Sequence, residues 1–162
     1  MVLTNTAIQP YFLQTGEGQA TWFGTTGMTV KASSASTGGG LTAIEVVSPP
    51  GGSAPWHVHH REDEIFYVLE GDVLFKCGDE LFQAKPGAFV FLPRDIPHSY
   101  KTLGETHARW LLLTTPAGAE GFFIEAGVAT VEEGAQPQPV DPQKMRAIAA
   151  KYGLEILGPP PF

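Results

Sequence analysis

A single cysteine, Cys77, occurs in 162 residues, which excludes an internal disulfide and a Cys-x-x-Cys metal knuckle. Basic residues are scarce as well: 10 Lys and Arg face 17 Asp and Glu, a formal charge of −7. With no basic run anywhere in the chain, that balance argues against nucleic acid and anionic membranes as partners. No apolar run approaches the roughly eighteen residues of a membrane-spanning helix. The opening stretch MVLTNTAIQPYFLQTGEGQ lacks the basic and long apolar segments of a signal peptide, so the cytoplasm is the expected location. Phosphate-binding and nucleophile-elbow motifs are missing too. GEGQAT begins like a dinucleotide loop but has neither the third glycine nor a strand–helix–strand context.

Apolar residues make up 43% of the chain, enough for a packed interior. Nineteen glycines and 14 prolines punctuate short β-like runs at near-regular spacing, the pattern of an antiparallel sandwich or barrel. Strands are expected at Ala20–Phe23, Met28–Ala32, Leu41–Val47, Ala54–His59, Glu64–Glu70, Asp72–Cys77, Glu80–Ala84, Ala88–Leu92, His98–Lys101 and His107–Thr114. Turns fall at Glu70-Gly71-Asp72, Gly78-Asp79 and Lys85-Pro86-Gly87. Only the C-terminal stretch reads as helical. Asp141 is its N-cap, Pro142 its first residue, Met145, Ile148, Ala149 and Tyr152 its apolar face, and Gly153 its stop. The division is a β-barrel with N-terminal strands over 1–131, then a Pro-rich linker (132–140), that helix and an extended tail (LGPPPF) packed on the barrel up to residue 162.

The chemistry concentrates in PWHVHHREDEIFYVLEG, residues 55–71. Alternate side chains of a strand share a face, so His57 and His59 point one way and His60 the other. Glu64 opens the next apolar strand, and if it points inward then Phe66 and Val68 do as well. A carboxylate so placed completes a set of two histidines and one carboxylate. The segment PGAFVFLPRDIPHSY delivers a fourth donor, His98, with Tyr100 on the same face. Three imidazoles and a carboxylate suit one divalent first-row transition ion with coordination positions left open: Fe, Mn, Ni, Co or Cu, with Zn also compatible.

Gly51, His57, His59, Glu64 and Gly71 match every position of the first motif of the cupins. Gly87, Pro93 and His98 match the second, in which Asp95 replaces a glycine and Thr102 an asparagine. The two motifs span 51–102 with 15 residues between Gly71 and Gly87. The chain therefore resembles a cupin. The resemblance implies an all-β fold, a double-stranded β-helix or small jelly-roll barrel, with its metal in the barrel mouth. STGGGLTAIEVVSPPGG, EDEIFYVLEGDV, TPAGAEGFF and KYGLEILGPPP further resemble the bacterial single-domain cupins called quercetin 2,3-dioxygenase-like.

That likeness implies a metal-dependent dioxygenase acting with O2 on a flavonol-like or other acidic phenol or enol. Glu64 would serve as both ligand and catalytic base; Phe66, Phe75, Tyr100 and Trp110 fall where a barrel lining is expected and read as plain core or, on this likeness, as walls of the substrate pocket. The alternatives are a non-redox metal-dependent isomerase or cyclase, and a non-catalytic small-molecule-binding cupin. A homodimer is expected. Glu62 and Asp63 read as solvated charges, His60 and His107 as surface groups, and Cys77 as incidental.

Overall fold

The computed structural model describes residues 7–129 and 141–162; the expected linker, 132–140, lies outside them. The elements run β1 (Gln19–Phe23), β2 (Thr26–Ala32), α1 (Ser34–Thr37), β3 (Thr42–Ser48), β4 (Trp56–His59), β5 (Asp63–Glu70), β6 (Asp72–Cys77), β7 (Glu80–Ala84), β8 (Phe89–Leu92), β9 (His98–Leu103), β10 (Ala108–Thr115), α2 (Glu120–Ala126), α3 (Pro142–Lys151) and β11 (Leu154–Gly158). They form two antiparallel sheets, one ordered β1-β2-β3-β10-β5-β8 and the other β11-β4-β9-β6-β7. All ten expected strands are present, with ends shifted by a residue or two. No helix among the described residues is long and apolar enough to cross a membrane.

Period-two alternation builds the interior. On β5, Glu64, Phe66 and Val68 are buried while Tyr67 is exposed. The facing rows of the two sheets interdigitate as Met28, Ile44, Val46, Phe66, Val68, Val73, Phe75, Leu92, Trp110 and Leu112, all buried. Each large side chain removed from water in this way contributes about 1.5–3 kcal/mol. A second cluster joins Phe122 of α2, Met145, Ile148 and Ala149 of α3, and Leu154 of β11. Phe23 and Phe123 pack against both clusters, so the C-terminal elements continue the barrel interior.

Three elements depart from the sequence reading. Helices α1 and α2 exist besides the C-terminal one, and 154–158, which overlaps the expected tail only at 157 and 158, is a strand paired with β4. Four residues of α1 carry no helical periodicity; a capping box between Ser33 and Ser36 and left-handed Gly38 define it instead. α2 has no side-chain N-cap. It is held by buried Glu120, which accepts hydrogen bonds from the backbone N–H of Ser34 (2.6 Å) and Gly118 (2.9 Å) and from the Thr42 hydroxyl. β11 pairs with β4, Leu154 opposite His59 and Ile156 opposite His57. The expected C-terminal helix is found with its Asp141 cap, and Met145, Ile148 and Ala149 buried.

Gly71 takes φ 72° in the β5–β6 hairpin. A Cβ there would lie 2.8 Å from both Ala108 Cα and His107 O, backbone atoms that cannot yield cheaply. Gly71→Ala is expected to lower the unfolding free energy by about 1–3 kcal/mol, read as a lower urea midpoint at unchanged slope.

Candidate metal centre

Four side chains converge at one end of the barrel. His57 and His59 come from β4, His98 from the first position of β9, and Glu64 from β5 in the other sheet. The register seats His57 opposite His98, and their ring centroids lie 4.5 Å apart. One potential ligand atom from each of the four lies within 4.8 Å of the others. His59, Glu64 and His98 are only 1%, 3% and 2% exposed.

Outer acceptors fix how the rings face. His57 Nδ1 lies 2.8 Å from Pro55 O and His98 Nδ1 2.9 Å from Ile96 O. A carbonyl only accepts, so both Nδ1 atoms carry the proton. Behind His59, Nδ1 faces Glu62 Oε2 at 3.4 Å. Each ring is thereby left with Nε2 turned to the centre, where His98 Nε2 stands 3.0 Å from Glu64 Oε2. His59 Nε2 is buried and has no hydrogen-bond partner, its nearest charged neighbour being Glu64 Oε1 at 3.4 Å. A bare imidazole nitrogen facing a carboxylate is stable only with a proton or a cation between them. The donor set, three Nε2 atoms and one carboxylate, fits a divalent transition ion, and His57, His59, Glu64 and His98 would hold it.

The electrostatics of the metal-free cluster follow. Burial lowers the His57 pKa to about 3, helped by His98 and His59. Burial pulls His59 down as well, but Glu64 and Glu62 more than reverse it and leave its pKa above the ordinary value. Burial pushes Glu64 up, and His59, His98 and His57 overcome it and hold the carboxyl at about 2.

Both departures from the second motif are accommodated. Asp95 adopts φ 64° in the glycine's place, a conformation Asp tolerates better than most residues. Its N–H donates to His59 O (2.8 Å) and its side chain pairs with His60 Nδ1 (2.7 Å). Thr102 is buried and donates to the Ser48 hydroxyl at 2.9 Å. His60, His107 and Asp63 lie outside the cluster. His60 bridges Asp95 and Glu155 at the surface, His107 is exposed, and Asp63 binds Arg94 through two oxygens.

Glu62 corrects the sequence reading: it is 2% exposed, not solvated. Its place two residues before Glu64 puts it on the same inward parity, a signal the charged run HREDE conceals.

Above the cluster lies a cavity of about 110 Å³, well beyond the roughly 10–15 Å³ that one water needs. Phe66, Phe75, Tyr100 and Trp110 line it together with His57, Glu64 and His98. Phe122, Phe123, Met145, Leu154 and Ile156, from the C-terminal elements, complete the wall. The C-terminal helix thus packs over the barrel interior. Cys77 is half-buried and outside the cavity lining.

Residues 44–114 match the cupin domain family. The barrel has the cupin fold. The chain is 29% identical over 148 residues, 91% of its length, to quercetin 2,3-dioxygenase of Bacillus subtilis, of which it covers 43%. It spans about half the length of the curated relatives it matches, 43% and 58%. Among solved structures, a predicted oxalate decarboxylase from Thermotoga maritima is similar at 25% identity and TM-score 0.54, over 56% of this chain and 80% of that one. An RmlC-like cupin from Shewanella frigidimarina is similar at 17% identity and TM-score 0.59, over 69% and 96%. The lining around the cluster is mostly apolar.

The cluster has a pH signature in the metal-free cupin. Between pH 6.5 and about 3 the unfolded chain binds a proton at residue 57 that folded His57 refuses, so this residue makes the fold less stable as pH falls through that window. Glu64, at about 2 against 4.5, contributes stability above pH 4.5 that is lost as pH falls towards 2. His57→Asn is expected to flatten the stability–pH profile between pH 6.5 and 4.5, measured by urea unfolding in chelator-treated protein.

Proposed function

We propose that this cupin is a metal-dependent dioxygenase acting on a flat, acidic phenol or enol of the flavonol class. The observation that carries the reading is the pairing of a three-histidine, one-carboxylate cluster with an aromatic-walled cavity whose lining contains no Lys or Arg. Such walls stack on a flat ring and exclude water. A dianion such as oxalate would need a buried cation for its second carboxylate, and the lining provides none. The likeness to a quercetin 2,3-dioxygenase supports the same choice.

When bound, a first-row ion supplies Lewis acidity toward a substrate oxygen and redox access to O2. The rest belongs to the chain. Three histidines with their Nδ1 protons held by outer acceptors keep their Nε2 lone pairs aimed at one point. Glu64 lines the cavity, so one of its oxygens can serve the ion while the other accepts the proton of the substrate hydroxyl. Burial pushes the Tyr100 hydroxyl up to about 12; it stays protonated at neutral pH and offers a donor. Phe66, Phe75 and Trp110 give the ring an apolar wall.

Elemental analysis of protein purified without chelators is expected to find about one Fe, Mn, Co, Ni or Cu per chain. Oxygen uptake is expected with 3-hydroxyflavone-type flavonols and not with oxalate. Zinc alone, or a flavonol bound and recovered unchanged in air, would favour a non-redox enzyme or a binding module instead. Glu64→Ala is expected to weaken metal retention and to cut turnover about 10²- to 10⁴-fold; a variant with full occupancy and full turnover would remove Glu64 from its assigned role.

A further inference from the structure

The three histidines of the cluster are not held alike. Behind His57 and His98 the outer acceptor is a neutral backbone carbonyl, Pro55 O or Ile96 O. Behind His59 it is the carboxylate of Glu62. That carboxylate is 2% exposed and is not among the four potential ligands. It sits where the chain turns from β4 into β5, on the inward parity of Glu64 and Phe66, and its Oε1 looks towards Gly118, where a Cβ would lie 3.4 Å away. His59 is therefore flanked by two carboxylates, Glu62 on Nδ1 and Glu64 on Nε2, each at 3.4 Å.

We propose that Glu62 is a positioning residue for the metal centre. It fixes the His59 tautomer, raises the electron density that His59 Nε2 offers an ion, and supplies the second negative charge that makes a site of three neutral imidazoles, two carboxylates and a divalent cation electrically neutral. A buried ion costs least when its charge is matched locally. An anionic outer acceptor strengthens an imidazole ligand more than a carbonyl does, because a charged hydrogen bond is roughly twice as strong as a neutral one. This inference rests on the metal-centre reading and goes beyond it, by assigning a function to a residue outside the ligand set.

The test is equilibrium binding of Co2+ alone to the apo-protein, measured by chelator competition, in the parent, Glu62→Gln and Glu62→Asp. Gln keeps the volume and a hydrogen-bond acceptor but loses the charge; Asp keeps the charge and loses a methylene. Positioning through charge predicts parent above Glu62→Asp above Glu62→Gln, with Glu62→Gln weaker by about 10- to 100-fold and little change in the apo-protein's urea midpoint. Packing alone predicts the opposite order of the two variants, and that order, or a Glu62→Gln protein that binds Co2+ like the parent, would overturn the proposal. Should Glu62→Gln not fold, Glu62→Asp decides: affinity within about tenfold of the parent supports the role, and any larger loss overturns it. A parent that takes up no Co2+ removes the metal reading itself, an outcome separate from failure of the Glu62 assignment alone.

Discussion

Three imidazoles and a carboxylate enclosed together hold four lone-pair donors that face one another. His59, flanked by two carboxylates, takes a proton more readily than a free imidazole, but burial keeps His57 from taking one. A single divalent ion would satisfy all four donors at once. Much of the barrel serves that requirement. The β4–β9 register sets His57 against His98. The second sheet brings Glu64 across the interior, and the outer acceptors turn every Nε2 inward.

The apolar walls give the same constraint a chemical direction. Without Lys or Arg in the lining, the charge of the cluster is left to act on whatever small molecule enters. The aromatic groups of both sheets and of α2 wall the cavity. The edge-to-face contacts Phe66–Phe75 (4.9 Å) and Tyr100–Trp110 (4.8 Å) tie these walls to one another across the sheets, so the cavity wall is stiff.

The strands and the four converging side chains were legible because both depend on local rules. Alternation reveals which residues share a face, and glycine at tight turns reveals where strands end. What escaped depends on contacts between distant segments. Helix α2 starts at a carboxylate clamped by Ser34 and Thr42, residues far off in sequence. In β11, Glu155 and Ile156 read as a strand only once β4 is beside them. Glu62 looked solvated inside a run of charges, and its burial is settled by the His59 ring and the approach of Gly118. Parity would have indicated it, had the strand pattern been extended one step backward from Glu64.

The pairing of β11 with β4 also orders events in time. β4 meets β9 only at His57 and His98, so most of its ladder is made with β11, a segment translated long after it. At about 5–20 residues per second, roughly 5 to 20 s of synthesis separate the two. Through that interval the strand bearing two of the four donors lacks its main neighbour, and the cavity lacks the wall that Leu154 and Ile156 provide. The four donors and the wall that encloses them are therefore complete together only once β11 docks, near the end of synthesis.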